Sequence, residues 1–154
     1  MLNHQELYEF WCRSMGTWTS PLLTLQLRWL DNPELLPISE AHHLSEPEFG
    51  ISMSWTYNKK AEAGHMAWIA DASHPNAVFT DKSIWEDTPP SVFNYQLFAA
   101  KRLVMTTGEY EETVFLQSDS RRLREQRYGG KLMRRLWEDK VAVDIPQWQL
   151  RACA

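Results

Sequence analysis

Long apolar runs are missing from this chain of 154 residues. None approaches the ~18 residues a membrane-spanning helix needs, so no membrane association is expected. The first residues lack the pattern of a signal peptide. Cysteine is scarce. Cys12 and Cys153 stand near opposite ends, without metal-ligand spacing and without a disulfide framework. That usage points to a reducing, intracellular compartment and gives no reason to expect a metal. Excess positive charge is absent too. A net charge of −4 offers no ground for nucleic acid or an anionic membrane as partner. There is no glycine-rich phosphate loop and no Ser/His/Asp arrangement. His42-His43 adjoins Glu40 and Glu46, but no regular element holds them together. Repeats, low-complexity segments and linkers are lacking, so residues 1–154 are expected to form one domain.

What is present is apolar and aromatic. Hydrophobic residues make up 44% of the chain, which excludes disorder, and there are eight tryptophans. So many indoles imply a large aromatic core or a pocket for a flat ligand. Leu7, Phe10 and Trp11 fall at helical spacing over 4–15, with Asn3 as N-cap, Glu6 three residues later and Gly16 as the stop. Cys12 on this helix reads as a small core residue. Strict alternation follows at Leu23-Leu25-Leu27-Trp29 and at Ile51-Met53-Trp55-Tyr57, each a half-buried strand. Residues 31–48, with Pro33, Pro37 and Pro47, read as loop, as do the polar stretch Asn58–Gly64, residues 71–76 and the tail after Pro146. Short extended pieces are expected at 65–70, 77–80, 82–85, 92–98 and 102–107. Residues 131–141 suit a helix by their apolar positions and a strand by the preceding Gly129-Gly130; the strand is preferred. Roughly nine or ten short strands after one helix predict an all-β fold, an antiparallel barrel or sandwich. A barrel of that size removes its own edges and can hold one small ligand.

The chemistry gathers in residues 108–130. Ser118-Asp119-Ser120 is a turn between two strands. Tyr110, Glu112, Val114 and Leu116 share one face of the first strand; Arg122, Arg124, Gln126 and Tyr128 share one face of the second. A three-residue turn pairs Leu116 with Arg122, Val114 with Arg124 and Glu112 with Gln126. A two-residue turn reverses the parity. The plainer alternative is a solvated, ion-paired outer hairpin.

This hairpin resembles that of the S-type phycobiliprotein lyases: Glu111-Glu112, a strand, a turn, then Arg122-Leu-Arg124, followed by Arg127-Tyr-Gly-Gly130. Gly16-Thr-Trp18-Thr-Ser20 resembles the family's opening motif and Met53-Ser-Trp55 its pocket-lining strand. Two positions depart from the pattern. Leu22 stands where the family has arginine, and Gln126 replaces a small hydroxyl residue. The resemblance implies a lipocalin-like barrel of about ten strands, closed at one end by the N-terminal helix. It implies a linear tetrapyrrole (a bilin) bound as substrate, with no metal and no separate cofactor. The bilin would be joined by a thioether to a cysteine of an apo-phycobiliprotein subunit, in a cyanobacterium-like cytoplasm or a plastid. Glu112 becomes the catalytic residue. Trp18, Met53, Trp55, Arg122, Arg124 and Gln126 become the ligand-binding set, with the arginine forks suited to the bilin propionates and Trp55 and Tyr57 to its flat faces.

Other readings stay open. The plainer reading of Trp18 is a plug in the barrel floor. The whole chain could be a non-catalytic carrier of a bilin or another hydrophobic molecule, or an interaction protein using the basic block 121–135. Self-association as a homodimer is a further option.

Overall fold

The computed structural model describes residues 4–32, 47–71, 74–82, 84, 91–142 and 153. Asn3, His42-His43 and the connection 85–90 lie outside them. The helix α1 (His4–Ser14) precedes ten strands: β1 (Gly16–Thr19), β2 (Leu23–Leu30), β3 (Pro47–Tyr57), β4 (Lys60–Asp71), β5 (His74–Thr80), β6 (Ser91–Phe98), β7 (Arg102–Thr107), β8 (Tyr110–Leu116), β9 (Arg121–Tyr128) and β10 (Lys131–Ala142). Each strand from β2 onward pairs antiparallel with its sequence neighbour. β1 joins β2 to β10 and closes the barrel. The alternation read from the sequence does the sorting: Leu23, Leu25, Leu27 and Trp29 point into the core, and in register opposite them stand Tyr57, Trp55, Met53 and Ile51.

Several boundaries differ from expectation. The turn at Asn58 is two residues, not seven. Asn58 and Lys59 both take positive φ (50° and 71°), the primed geometry that fits strand twist, so β4 starts at Lys60 and runs through Gly64. β3 begins at Pro47, inside the expected loop, and β5 begins at His74. Asp81, Lys82 and Ile84 belong to no strand. Residues 131–142 form a strand, as preferred.

α1 lies across one end. Leu7, Phe10, Trp11 and Met15 are buried beneath it, and Trp11 meets Trp68 of β4 at 5.7 Å between ring centres. Gly16, at φ 118°, turns helix directly into strand, a conformation that favours glycine. Ser14 donates to the Phe10 carbonyl, and Trp18 Nε1 donates to the Ser14 carbonyl at 2.8 Å. Arg13 binds Asp119, in the turn between β8 and β9, at 2.7 Å, and Lys140 Nζ donates to the Arg13 carbonyl at 2.8 Å. Among the described residues no helix is long and apolar enough to cross a membrane.

The cysteines correct the sequence reading. Cys12 and Cys153, 141 residues apart, are joined by a disulfide with their Cα atoms 5.5 Å from each other. Sequence distance hid this because a closed barrel returns its last strand beside its first. The pairing removes the ground for expecting a reducing compartment, and it fixes Cys153 in the tail that looked loosely held. A bridge closing so long a loop restricts the unfolded chain strongly. Reduction, Cys12→Ser and Cys153→Ser should each lower unfolding stability by about 2–4 kcal/mol and should not add to one another. Identical denaturant midpoints with and without reductant would show that the bridge does not form.

Candidate functional site

The β8–β9 pairing is the one the three-residue turn requires: Leu116 opposite Arg122, Val114 opposite Arg124, Glu112 opposite Gln126. The acid and the arginines therefore face the barrel interior, and the solvated outer hairpin is excluded. Relative exposure is 6% for Glu112, 1% for Arg122, 8% for Arg124 and 3% for Gln126. Glu111, one residue away, turns outward toward Arg127.

Glu138 of β10, fully buried at 0%, completes the group and was missed in the sequence. Arg122 Nε donates to Glu138 Oε1 at 2.5 Å, and Arg124 Nε to Glu138 Oε2 at 3.1 Å. Arg124 Nη1 then donates to Glu112 Oε1 at 2.6 Å. The chain of contacts runs on: Tyr110 Oη donates to Glu112 Oε2 at 3.1 Å, Gln126 Nε2 to Tyr110 Oη at 3.4 Å, and Arg134 Nη1 to Gln126 Oε1 at 2.8 Å. At the other end the Arg122 guanidinium lies 4.4 Å over the Trp18 ring, a cation–π contact strengthened by desolvation. The Arg122 Nη2 group is buried and has no hydrogen-bond partner among the described residues.

A one-residue irregularity explains why Glu138 escaped notice. β10 pairs Lys131 with Tyr128 and Leu132 with Arg127, then slips so that Arg134 opposes Gln126. Without that bulge Glu138 would oppose Arg121 and face solvent. With it, Glu138 opposes Arg122 inside the barrel. A bulge changes side-chain parity beyond it, and nothing in the local sequence announces this one.

Two cations and two carboxylates thus share the buried interior. Burial pushes the Arg122 guanidinium down to about 10, against the pull of Glu138. Arg124 suffers the same desolvation, but Glu138 and Glu112 together hold it above the usual range. Burial acts to raise Glu138, yet Arg122 and Arg124 outweigh it and hold that carboxyl below its ordinary 4.5.

Glu112, Arg124 and Thr80 are the polar lining of a cavity of about 30 Å³, otherwise bounded by Met53, Met66, Met105, Phe93 and Ile84 among others. The strand directions put this cavity toward the end opposite α1. Ile84 arrives from the β5–β6 connection. That connection is pinned where the His65 amide donates to Asp81 Oδ1 at 2.6 Å, and His65 Nδ1 lies 2.8 Å from Oδ2. Lys82 also meets Glu62 at 3.2 Å. A side chain at Gly64 would stand 2.6 Å from the Lys82 carbonyl oxygen and 3.1 Å from Trp55 Cη2, so glycine lets β4, this connection and the indole approach.

Of the residues singled out by sequence, Glu112, Arg124 and Met53 meet at the cavity. Arg122 is reached through Glu138, and Gln126 through Tyr110. Trp55 is buried against Gly64. Trp18 sits toward the helix end, hydrogen-bonded to Ser14 and stacked under Arg122. Leu22, at the position of the family's arginine, is exposed in the β1–β2 turn. Among the described residues no cluster of three His, Cys, Asp or Glu side chains could hold a metal ion.

No protein-family model and no curated protein matches this sequence. A solved structure does match: the S-type phycobiliprotein lyase CPES from Guillardia theta, with a TM-score of 0.61 at 16% identity, over 92% of this chain and 98% of that one. At that identity the likeness is one of fold.

Removing one member of a buried ionic group leaves another charge uncompensated, at about 3–5 kcal/mol. Glu138→Leu and Arg122→Met should each be destabilised by that order. The double variant keeps the neutral Arg124–Glu112 pair and should be more stable than either single one. Because Glu138 ionises below its ordinary 4.5 in the folded chain, its contribution is complete above that pH and is lost as pH falls further. Unfolding monitored from pH 7 to pH 2 should show an acid limb that flattens in the double variant. Additive losses, or an unchanged limb, would mean that these side chains do not act as one group.

Proposed function

We propose that this chain is a phycobiliprotein lyase: it binds a linear tetrapyrrole in the barrel and presents it to a cysteine of a phycobiliprotein subunit. The observation that carries the reading is the Glu112–Arg124 pair, buried yet facing the inner cavity, in a chain with the fold of an S-type lyase. An ion pair inside a small barrel is poor evidence for stability, since apolar residues would serve as well. A ligand with both acidic and basic groups gives it a use. The tetrapyrrole carries pyrrole nitrogens for the Glu112 carboxylate and propionates for the arginines, including the Arg122 donor left over by Glu138.

The transfer needs no oxidant. The acceptor thiol adds across the ethylidene double bond of ring A, sulfur to the exocyclic carbon and the proton to the ring, and no group leaves. Glu112 keeps the pyrrole nitrogens protonated, which draws electrons from that double bond. The bilin is substrate, so no metal or further cofactor takes part. A cavity of about 30 Å³ is far below the ~300 Å³ or more of a ligand site, so the walls must yield. Met53, Met66 and Met105 are unbranched thioethers that repack readily, and Ile84 rides on a connecting segment. The setting is the cytoplasm of a cyanobacterium-like cell or a plastid. A carrier that binds without transferring is the second reading, favoured by Leu22 in place of the family's arginine.

Protonated bilins absorb at longer wavelength, so mixing free bilin with the protein should shift the band to the red. Glu112→Gln keeps the shape and removes the charge; it should shift the band back, with a smaller effect on affinity. Glu111→Gln, on the outer face, should behave as the parent. Equal spectra for the two variants would remove Glu112 from contact with the chromophore.

A further inference from the structure

The cavity wall has a third polar member that stands outside the ionic group. Thr80 ends β5, paired with Met66 of β4 on one side and Ser91 of β6 on the other. Met66 lines the cavity and Thr80 lines it too, so this residue faces the barrel interior. It is 7% exposed, and its hydroxyl has no hydrogen-bond partner among the described residues. Burying a hydroxyl without a partner costs free energy. Valine has nearly the same shape, suits a strand as well and carries no such cost. A buried polar group left over in this way needs a reason.

Thr80 is also set apart from the other polar wall. In the ring of strands, β6 and β7 separate β5 from β8, which carries Glu112; β8 in turn precedes β9, which carries Arg124. Phe93 and Met105, on the intervening strands, make the lining between them apolar. The cavity is therefore ionic on one side and bears a neutral hydroxyl on another. A ligand matched to it has a charged part and, away from that part, a neutral group able to exchange a hydrogen bond. A linear tetrapyrrole is such a ligand. Its terminal rings are lactams, with a carbonyl to accept from a hydroxyl and an N–H to donate to it. A fatty acid is not: its carboxylate meets the arginine, and the rest of its chain offers Thr80 nothing.

We propose that Thr80 is a specificity-determining residue whose hydroxyl binds the lactam of a terminal bilin ring while Glu112 holds the pyrrole nitrogens. Rotation about Cα–Cβ alone exchanges the methyl and the hydroxyl, so the contact needs no backbone movement. A site with a buried polar group strongly rejects ligands that leave that group without a partner. This role rests on the tetrapyrrole reading above and names the contact for the neutral end of that ligand.

The test titrates phycocyanobilin and, separately, oleate into the full parent chain, Thr80→Val and Thr80→Ser. The parent should bind the bilin, and Thr80→Val should bind it about five- to tenfold more weakly, the contribution of one hydrogen bond. Thr80→Ser keeps the hydroxyl and should retain most of the affinity. Bilin bound to Thr80→Val should keep its red-shifted band, because Glu112 is untouched. Oleate should bind Thr80→Val no more weakly than the parent. Without ligand, the thermal midpoint of Thr80→Val should equal or exceed that of the parent. Equal bilin affinity in parent and Thr80→Val would overturn the role of Thr80 and leave the tetrapyrrole reading standing; a parent chain that takes no bilin would overturn both. A lower midpoint in Thr80→Val would show that the protein itself already satisfies the hydroxyl. Equal losses of oleate and bilin affinity would show a change of shape rather than a lost hydrogen bond, and a band shifted as in Glu112→Gln would show action through Glu112. Each of these three results would also overturn the proposal.

Discussion

Two arginines and two glutamates inside a ten-stranded barrel impose the strictest constraint on this fold. An unpaired charge in that interior costs several kcal/mol, so each must meet its partner, and strand register decides whether it does. Arg122 opposes Leu116 on one side and Glu138 on the other, and Arg124 opposes Val114 and Leu136. A slip of one residue on β8 or β10 would turn the carboxylates to solvent and leave the guanidiniums alone. The bulge between Leu132 and Arg134 is thus part of the ionic group as much as the side chains are. The same group reaches the barrel floor through Trp18 and the cavity wall through Glu112, so the two ends of the molecule are mechanically joined.

The two ends differ in substance. Under α1 the core is aromatic: Trp68 packs edge-on to Tyr95 at 4.7 Å and stacks with Phe49 at 5.7 Å. Such rings have few rotamers and hold their place, and the disulfide and the Arg13–Asp119 contact tie the helix down over them. Toward the other end the inner wall is largely methionine, with a small cavity and a connecting segment contributing Ile84. A firm floor and an adaptable upper wall are what the proposed tetrapyrrole, long and flat, would require.

Much of this was readable from residue order. Alternation at 23–29 and 51–57, the capped helix, and the serine-rich turn predicted both the barrel and the inward face of the Glu112–Arg124 hairpin, because these rest on the local period of side chains. What escaped depended on long-range register. Glu138 was hidden by the bulge. The Cys12–Cys153 pairing was hidden because barrel closure brings distant residues together. The β4 start at Lys60 was hidden because polar residues on the outer face of a strand look like a loop. The role of Trp18 as the aromatic platform beneath Arg122 depends on β1 lying between β2 and β10, which no motif encodes.

Mass spectrometry of the acceptor tests the central claim most directly. This chain, loaded with bilin, is mixed with an apo-phycobiliprotein subunit, and both proteins are then denatured. The subunit should gain the mass of one bilin on a cysteine, faster and with a more uniform product than with free bilin, while this chain gains nothing. A subunit whose labelling is no faster and no cleaner with the chain present would contradict the lyase account and leave a carrier.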